Sequence, residues 1–419
     1  LLDATKLVPE ELVPVTRIGK MTLNRNPDNF FAETEQVAFH VGHVVPGIDF
    51  SNDPLLQGRL FSYTDTQLTR LGGPNFQEIP INRPIVPVHN NQRDGFARQA
   101  INTSRTSYHP NAIGGGCPFQ AGRMQGGFAS YPERIEAHKV RERSSSFFDF
   151  FSQAKLFYNS QSEPEKNHII DALRFELGKV DTVAIRERML GVLRHVDEDL
   201  AAQVAGALGL EVPEDIGLIN QGIPADADPQ SYQPVVKEGK LQKSAALSMA
   251  GYKLNTIATR KIAVLVTDGF EAKSLSSIHE KLKADGAVVE LVSTHLGKIK
   301  PGSGDPVNVD RSLLTTPSVV YDAVYVAGGK ESIAALAEDP DAIHFLNQAY
   351  RHCKPIAAHE TAKPLLQKTY FADKLPAKSD NESAEKEGIV IGQDVSELFI
   401  LAIKQHRFWT REKARKVPA

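Results

Sequence analysis

Hydrophobic and polar residues recur at helical spacing from about residue 54 to residue 71. Asp53 followed by Pro54 is a favourable helix start, and the Gly-Gly-Pro run at 72–74 is a favourable stop. At roughly 100° per residue the large apolar residues share one side of this segment. They are Leu60, Phe61, Leu68 and Leu71. We therefore predict one helix over about 54–71 with its apolar side packed in a core.

Helical periodicity returns between residues 162 and 208. Ser162 and Glu165 match the pattern of a capping box, and apolar stripes follow it. The stripes consist of Ile169, Ile170, Leu173 and Leu177, then Ile185, Met189, Leu193 and Val196. A third helix is predicted at "EDLAAQVAGALGL". We interpret these segments as packing helices without chemistry of their own.

The pattern changes after Arg260. Short apolar runs ("KIAVLVT", "AVVELVS", "DAVYVAG", "KPIAAHE" and "GIVIG") alternate with helical stretches. This alternation is typical of a parallel sheet with helices on both faces. Residues 261–406 are therefore predicted to form a separate α/β domain.

The remaining segments lack helical periodicity. Residues 1–52 alternate short apolar runs with Pro and Asn, which predicts extended strands that need pairing partners. Residues 74–128 are rich in Pro, Asn, Arg and Gly, and their length indicates a wrapping segment or a partner surface. Residues 213–259 are polar with frequent Pro, as expected for a linker.

Composition excludes several classes of protein. The chain has 419 residues, 41% hydrophobic and 24% charged, with a formal net charge of −3. This balance gives no electrostatic reason to expect nucleic acid or an anionic membrane as a partner. No apolar run approaches the roughly 18 residues that a membrane-spanning helix needs. Only Cys117 and Cys353 occur, so a disulfide framework and a Cys-based metal site are not expected, and we predict a cytoplasmic protein.

One stripe of the predicted helix carries candidate chemistry. Arg59, Tyr63, Thr66 and Arg70 follow one another at intervals of four, three and four residues. A lone arginine here would be read as a solvated side chain. Arg59 one turn before Tyr63, however, places a fixed positive charge near the phenol oxygen, which stabilises the phenolate form. A phenolate is a hard anionic ligand for iron.

The stripe lies in a motif that resembles the haem catalases. "RLFSYTDTQ" is similar to their proximal ligand signature, with further similarity in "AFHVGHVVPGIDFSNDPLLQG" before it and "LGGPNFQEIPINRP" and "HNNQRDG" after it. The helical stretch and the appended α/β domain resemble the large-subunit branch of that family. The resemblance implies an α+β catalase fold, with a partial antiparallel barrel, a wrapping segment and a helical domain, followed by an α/β flavodoxin-like domain. The implied ranges are 1–128, 129–212, 213–260 (linker) and 261–419.

The resemblance also implies a cofactor, haem of b or modified d type, and roles for individual residues. Tyr63 would be the axial iron ligand, Arg59 would hold it as phenolate, and Arg70 would face the porphyrin edge or a propionate. Ser62, Thr66 and Gln67 would line the proximal pocket. Asp53 is either a helix cap or a charge partner of the proximal arginines, and both roles are compatible. His40 is either a hydrogen-bonded core histidine or a contact of Tyr63, even a covalent one.

Part of the family's site is missing from this sequence. Catalases use a distal His and Asn for acid–base work on peroxide, and both precede the proximal tyrosine. None of the 62 residues before Tyr63 resembles that motif, and His43, His89 and His109 are expected to be structural or surface residues. The chain opens at Leu1 without Met. We expect the N-terminal part to be supplied by a second chain after cleavage, or to be absent from this sequence.

The α/β domain also resembles class I glutamine amidotransferases and deglycase-like proteins. Those proteins carry a reactive Cys on the turn that reads Ala358-His359-Glu360-Thr361 here, while Cys353 precedes the strand. Glu271 matches their supporting acid, but without the nucleophile we expect a structural domain.

The resulting expectation is a haem catalase that disproportionates hydrogen peroxide, working as a homotetramer. The alternatives are a haem peroxidase or phenol oxidase activity at the same haem, and a non-catalytic fragment.

Overall fold

A computed structural model describes residues 2–45, 47–85, 94–102, 105, 122–125, 127, 129–138, 140, 143–235, 239–251 and 254–414. The chain divides into two compact units. The first unit comprises Leu1–Asn159 and Val180–Ala246, and the second comprises Ser160–Lys179 and Leu247–Ala419. None of the helices in the described residues is long and apolar enough to cross a membrane.

Ten α-helices are formed by the described residues. They are α1 (Pro54–Leu71), α2 (Ser152–Ser160), α3 (Glu163–Gly178), α4 (Val183–Arg194), α5 (Glu198–Leu208), α6 (Ala272–Ala284), α7 (Lys330–Glu338), α8 (Pro340–Arg351), α9 (Lys363–Leu366) and α10 (Ser396–Gln405). Helices α1, α4 and α5 belong to the first unit, and α3 and α6–α10 belong to the second.

Helix α1 begins and ends where the sequence predicts. The Asp53 carboxylate caps it by accepting a hydrogen bond from the Leu55 backbone N–H at 2.9 Å. It ends at Gly72, whose φ of 75° lies in the left-handed region that glycine adopts without strain. The cap role of Asp53 is thus present, and no ion pair joins Asp53 to an arginine in the part of the chain that the structure describes.

The apolar side of α1 is not buried as predicted. Phe61 is 73% exposed and Leu68 is 37% exposed, while Leu60 and Leu71 are half-buried. Gln67, seven residues after Leu60 and therefore on the same side of the helix, is 5% exposed. Burial requires a packed neighbour, and the described residues place none over Phe61. The prediction of a buried apolar side was therefore wrong for Phe61 and Leu68.

The predicted strands of residues 1–52 are also not formed. Over 2–45 and 47–52 the structure has one short π-helical segment, Phe31–Glu35, and no strand. A strand is stable when it pairs with a neighbour, and no described segment offers one here. Several apolar side chains in this stretch remain exposed, among them Val15, Ile18, Met21 and Leu23. The partial antiparallel barrel of the expected fold is absent from the described residues.

Helix α3 is anchored at its start by Glu165. The capping box with Ser162 is formed as predicted. The Glu165 carboxylate also accepts hydrogen bonds from the Ser248 hydroxyl at 2.8 Å and the Met249 backbone N–H at 2.7 Å. Burial acts to raise the pKa of Glu165, but these hydrogen bonds outweigh it and lower the pKa to about 2. This carboxylate fastens the start of α3 to residues 248–250 of the same unit.

The second unit is built on a parallel sheet, as predicted. Its strands are β1 (Lys261–Leu265), β2 (Val288–Ser293), β5 (Arg311–Ser312), β6 (Ala323–Val326), β7 (Ile356–His359) and β8 (Ile389–Gly392), and β3 (Gly297–Ile299) pairs antiparallel with β4 (Val307–Val309) outside it. The strand order is β5-β2-β1-β6-β7-β8, and every neighbouring pair is parallel.

Both faces of the sheet are covered by helices. Ile262 and Val264 of β1 pack in one core cluster with residues of α6 and α10. Ala263 and Leu265, which alternate with them, pack in a second cluster with residues of α7 and α8. Burial on both faces explains why each strand reads as a continuous apolar run rather than an alternating one.

The predicted linker has little regular structure. The described residues between 213 and 260 contain two short 3₁₀ turns, Pro229–Tyr232 and Ala245–Leu247, and no strand or α-helix. The frequent prolines of this stretch are consistent with that result.

Candidate functional site

The Arg59–Tyr63 pair is formed on α1. One turn of helix separates the two residues, and the Arg59 guanidinium donates a hydrogen bond to the Tyr63 phenol oxygen at 3.2 Å. The Arg59 guanidinium carbon lies 5.1 Å from the centre of the Tyr63 ring. Phe39 packs edge-on against the same ring at a centroid distance of 5.5 Å. The pair is partly buried, so a cation is held beside a phenol that is still open to a ligand.

Gln67 is the buried member of the predicted pocket lining. Its side-chain amide donates to the Phe39 backbone carbonyl at 2.9 Å. Its carbonyl oxygen, Oε1, is buried without a hydrogen-bond partner among the described residues. Gln67 therefore ties the segment that carries Phe39 to the helix that carries Tyr63.

Arg70 makes backbone contacts in this structure. Its guanidinium donates to the Val37 carbonyl at 2.8 Å and to the Glu35 carbonyl. The exposed side chains of Ser62 and Thr66 lie along the same helix, and the Ser62 hydroxyl donates to the Arg59 carbonyl at 3.4 Å. Arg70 thus fixes the 35–37 segment beside the last turn of α1.

His40 lies against Thr64, the residue that follows Tyr63 on α1. Its Nε2 is 2.6 Å from the hydroxyl of Thr64, and its Nδ1 accepts from the Gly42 backbone N–H at 2.9 Å. Its ring stacks on His43 at a centroid distance of 4.3 Å. In the described part of the chain no hydrogen bond joins His40 to Tyr63 itself. The sequence analysis did not identify Thr64 as the partner of His40, although Thr64 follows Tyr63 in the motif.

The surroundings of the two stacked histidines favour the neutral form of each ring. Burial lowers the pKa of His40, and burial together with the nearby His40 lowers the pKa of His43. Gly42 permits this arrangement, because a Cβ there would lie 2.8 Å from the His40 ring. His89, His109 and Cys117 lie outside the described residues.

The second unit lacks a thiol at the turn after β7. Cys353 is buried and precedes that strand, while His359 ends it. Among the described residues, no cluster of three or more His, Cys, Asp or Glu side chains is placed to hold a metal ion.

Three family models match successive parts of the chain. "Catalase" matches residues 1–115, "Catalase-related immune-responsive" matches 144–208, and "C-terminal domain found in long catalases" matches 258–413. The chain belongs to the catalase family. The third match assigns it more narrowly to the long, large-subunit branch of that family.

Named relatives agree with this assignment. The chain is 47% identical over 417 residues to a catalase of Alkalihalophilus pseudofirmus, covering 98% of this chain and 56% of the relative. It is 46% identical to catalase HPII of Pseudomonas aeruginosa (100% and 56% covered) and 42% identical to catalase-B of Dictyostelium discoideum (100% and 58%). The chain therefore spans little more than half the length of these relatives.

Proposed function

We propose that this chain supplies the proximal haem ligand of a catalase that disproportionates hydrogen peroxide to water and dioxygen. The observation that carries the proposal is the hydrogen bond from Arg59 to the phenol oxygen of Tyr63 at 3.2 Å. When bound, haem iron supplies the redox chemistry with peroxide, and catalase is itself the standard example of tyrosine ligation. The donor set fits haem, since a phenol oxygen beside a guanidinium can carry the negative charge that ferric iron attracts.

The chain's own residues would divide this work. Arg59 neutralises the phenolate oxygen of Tyr63, the metal ligand, while Phe39 and Gln67 fix the position of the ring and the helix. Ser62, Thr66, Gln67, Arg70 and His40 would form the cofactor-binding surface along α1. His40 would act through Thr64 to set the packing beside the ligand.

Several partners complete the proposal. The N-terminal part of the same catalase would provide the distal His and Asn that move the peroxide proton. The assembly would be a cytoplasmic homotetramer with haem of b or d type. These assignments rest on membership of the family, because the described residues include no distal site.

The organisation of the chain is proposed on the same basis. Matches at 1–115, 144–208 and 258–413 support a division into a barrel part with wrapping segment (1–128), a helical domain (129–212), a linker (213–260) and a C-terminal domain (261–419). We take the order β2-β1-β6-β7-β8 of parallel strands as support for a flavodoxin-like arrangement of the last domain.

Haem binding by the full chain tests the assignment of Tyr63. We expect hemin, added to the chain together with the co-expressed N-terminal part, to give an absorption spectrum with a phenolate-to-iron charge-transfer band and oxygen release from hydrogen peroxide. Tyr63→Phe removes the ligand oxygen while keeping the ring. It should abolish the band and reduce oxygen release by at least about 100-fold, since a direct iron ligand is lost.

Tyr131→Phe is the matched control, because Tyr131 is an exposed tyrosine of the same unit, 76% accessible. It should leave both signals unchanged. A charge-transfer band that survives in Tyr63→Phe, or is lost equally in both variants, would contradict the proposed ligand.

A further inference from the structure

A cavity opens at the carboxyl edge of the sheet in the second unit. It has a volume of about 420 Å³ and is lined by residues of β6 and β7 and by residues that follow β1, β7 and β8. The chain runs from β1 outward to β2 and later to β6 on the other side of β1. Loops diverge at such a reversal of strand order, and open α/β sheets bind ligands there. The catalase chemistry proposed for α1 makes no use of this cavity.

His359 is one of the buried polar residues in the cavity wall. It is 7% exposed, and its Nδ1 accepts a hydrogen bond from the Thr361 backbone N–H at 3.4 Å and lies 2.9 Å from the Thr361 hydroxyl. That hydroxyl oxygen accepts from the Gly329 N–H at 3.3 Å. Because Nδ1 acts as acceptor, the proton of the neutral ring resides on Nε2.

The Nε2–H faces the carboxylate of Glu271 across a gap that no described side chain enters. The distance from Nε2 to Glu271 Oε2 is 3.7 Å, within reach of an ion pair when the ring is protonated but longer than a hydrogen bond. Neither atom has another hydrogen bond within the part of the chain that the structure describes. Gly328 keeps the gap open, because a Cβ there would lie 2.6 Å from His359 Nδ1 and 3.0 Å from Glu271 Oε2.

The donor on His359 and the acceptor on Glu271 limit which chemical group can bind between them. A hydroxyl can accept a hydrogen bond from Nε2–H and donate one to the carboxylate at the same time, whereas an ammonium cannot accept and a carboxylate cannot donate. The cavity wall contributes Glu271, Glu360 and Asp394 against one lysine, Lys273, which disfavours anions. The rest of the wall is rich in hydroxyls, from Ser274, Ser277, Tyr325, Thr361 and Ser396.

We propose that this cavity binds a small, neutral, polyhydroxylated molecule, one hydroxyl of which bridges His359 Nε2 and the Glu271 carboxylate. No cysteine lines the cavity in the described residues, so the site binds its ligand without forming a covalent bond to a thiol. The second unit of this chain is on this basis a ligand-binding module rather than only a packing domain.

Saturation-transfer NMR with xylitol tests the proposal on the full chain. We expect direct transfer from the protein to xylitol, and about tenfold weaker binding in Glu271→Ala because a charge-assisted hydrogen bond is lost. Glu271 makes no side-chain cap to α6, so this variant should remain folded, with an unchanged melting temperature. Glu338→Ala removes an exposed glutamate outside the cavity and should bind xylitol as the wild type does.

A second measurement follows the His359 ring in a chain labelled with ring-¹⁵N histidine. The proposal requires the Nε2–H tautomer, a shift of the Nε2 signal on addition of xylitol, and a mixture of tautomers in Thr361→Val. His359→Gln assigns the signal by its loss. Absence of transfer to xylitol would mean that only water occupies the gap and would overturn the proposal. Equal weakening in Glu271→Ala and Glu338→Ala, or an Nδ1–H tautomer, would also overturn it.

Discussion

Only one of the two polar groups in the Gln67 side chain forms a hydrogen bond. Its amide group donates to the Phe39 carbonyl at 2.9 Å, while its buried Oε1 has no hydrogen-bond partner in the described residues. A buried acceptor that has lost water without gaining a donor lowers stability. The position therefore tolerates an apolar side chain better than a charged one.

Substitutions of Gln67 should separate the effect of its hydrogen bond from the effect of burying an unpaired or charged oxygen. Gln67→Met removes both the hydrogen bond and the unpaired oxygen, so we expect the free energy of unfolding to change by less than about 1 kcal/mol. Gln67→Glu buries a carboxylate without a donor and should cost about 2–3 kcal/mol at neutral pH, measured by urea unfolding. Gln57→Glu, at an exposed position of the same helix, is the control. Equal losses at positions 57 and 67 would refute this account.

Contacts between residues were predictable where the helix alone sets them. The spacing of Arg59 and Tyr63 predicts their contact, and the structure has it at 3.2 Å. The contact between His40 and Thr64 depends on how the irregular segment before α1 folds back against the helix, and no periodicity in that segment encodes its path. Sequence reasoning therefore did not identify Thr64 as the partner of His40.

At the scale of elements, the sequence correctly predicted helix ends, which depend on nearby residues. It did not correctly predict the strands of residues 1–52, which depend on distant pairing partners. The start of α1 at Pro54 and its end at Leu71 depend on cap residues within the same segment. The strands expected in residues 1–52 depend on partners elsewhere, and the described residues supply none. The five apolar runs after Arg260 did form strands of one sheet, because that unit contains all their neighbours.

The end of α1 offers a test with an internal control. Gly72 has a φ of 75° and Gly73 does not have a positive φ, and a Cβ at either position would meet nothing within 4 Å. Gly72→Ala should therefore lower the free energy of unfolding by about 1 kcal/mol through backbone strain alone. Gly73→Ala should be neutral or slightly stabilising. Thermal unfolding of the two variants would contradict the reasoning if Gly73→Ala were the less stable.

For the whole molecule, the sequence predicted that the sheet is parallel but did not predict how the chain divides into two units. Continuous apolar runs predict a parallel sheet because both faces are buried. No sequence signal indicated that α3, which precedes the sheet by about eighty residues, belongs to the sheet unit. The contacts of α3 within that unit are with residues far away along the chain, among them residues 248–250 and Trp409.

A buried lysine makes the unfolding of the sheet unit pH-dependent. Lys354 is 2% exposed, its ammonium donates to the Ser318 carbonyl at 2.7 Å, and burial lowers its pKa to about 8. The unfolded chain binds this proton more tightly than the folded unit does, so stability contributed by Lys354 is lost as the pH falls towards 8. Stability should therefore rise from pH 8 towards pH 9, below the pKa of 10 at which tyrosines of the unfolded chain ionise.

The contribution of Lys354 to the pH dependence of stability can be measured by comparing the wild type with a variant that lacks this lysine. Between pH 8 and pH 9, Lys354→Met should flatten the rise in melting temperature that the wild type shows. Lys298→Met removes an exposed lysine of the same unit and should keep the wild-type slope. A slope that persists in Lys354→Met would assign the pH dependence to other groups.

The Glu165 anchor makes the sheet unit discontinuous along the chain. The chain leaves this unit after Lys179 and re-enters it at Leu247, close to where Glu165 binds residues 248–250. Viewed from that unit, residues 180–246 are an insertion that follows α3 and ends just before the residues that Glu165 binds. A boundary drawn at residue 258, where the family match begins, consequently cuts through a folded unit and leaves one of its helices on the other side.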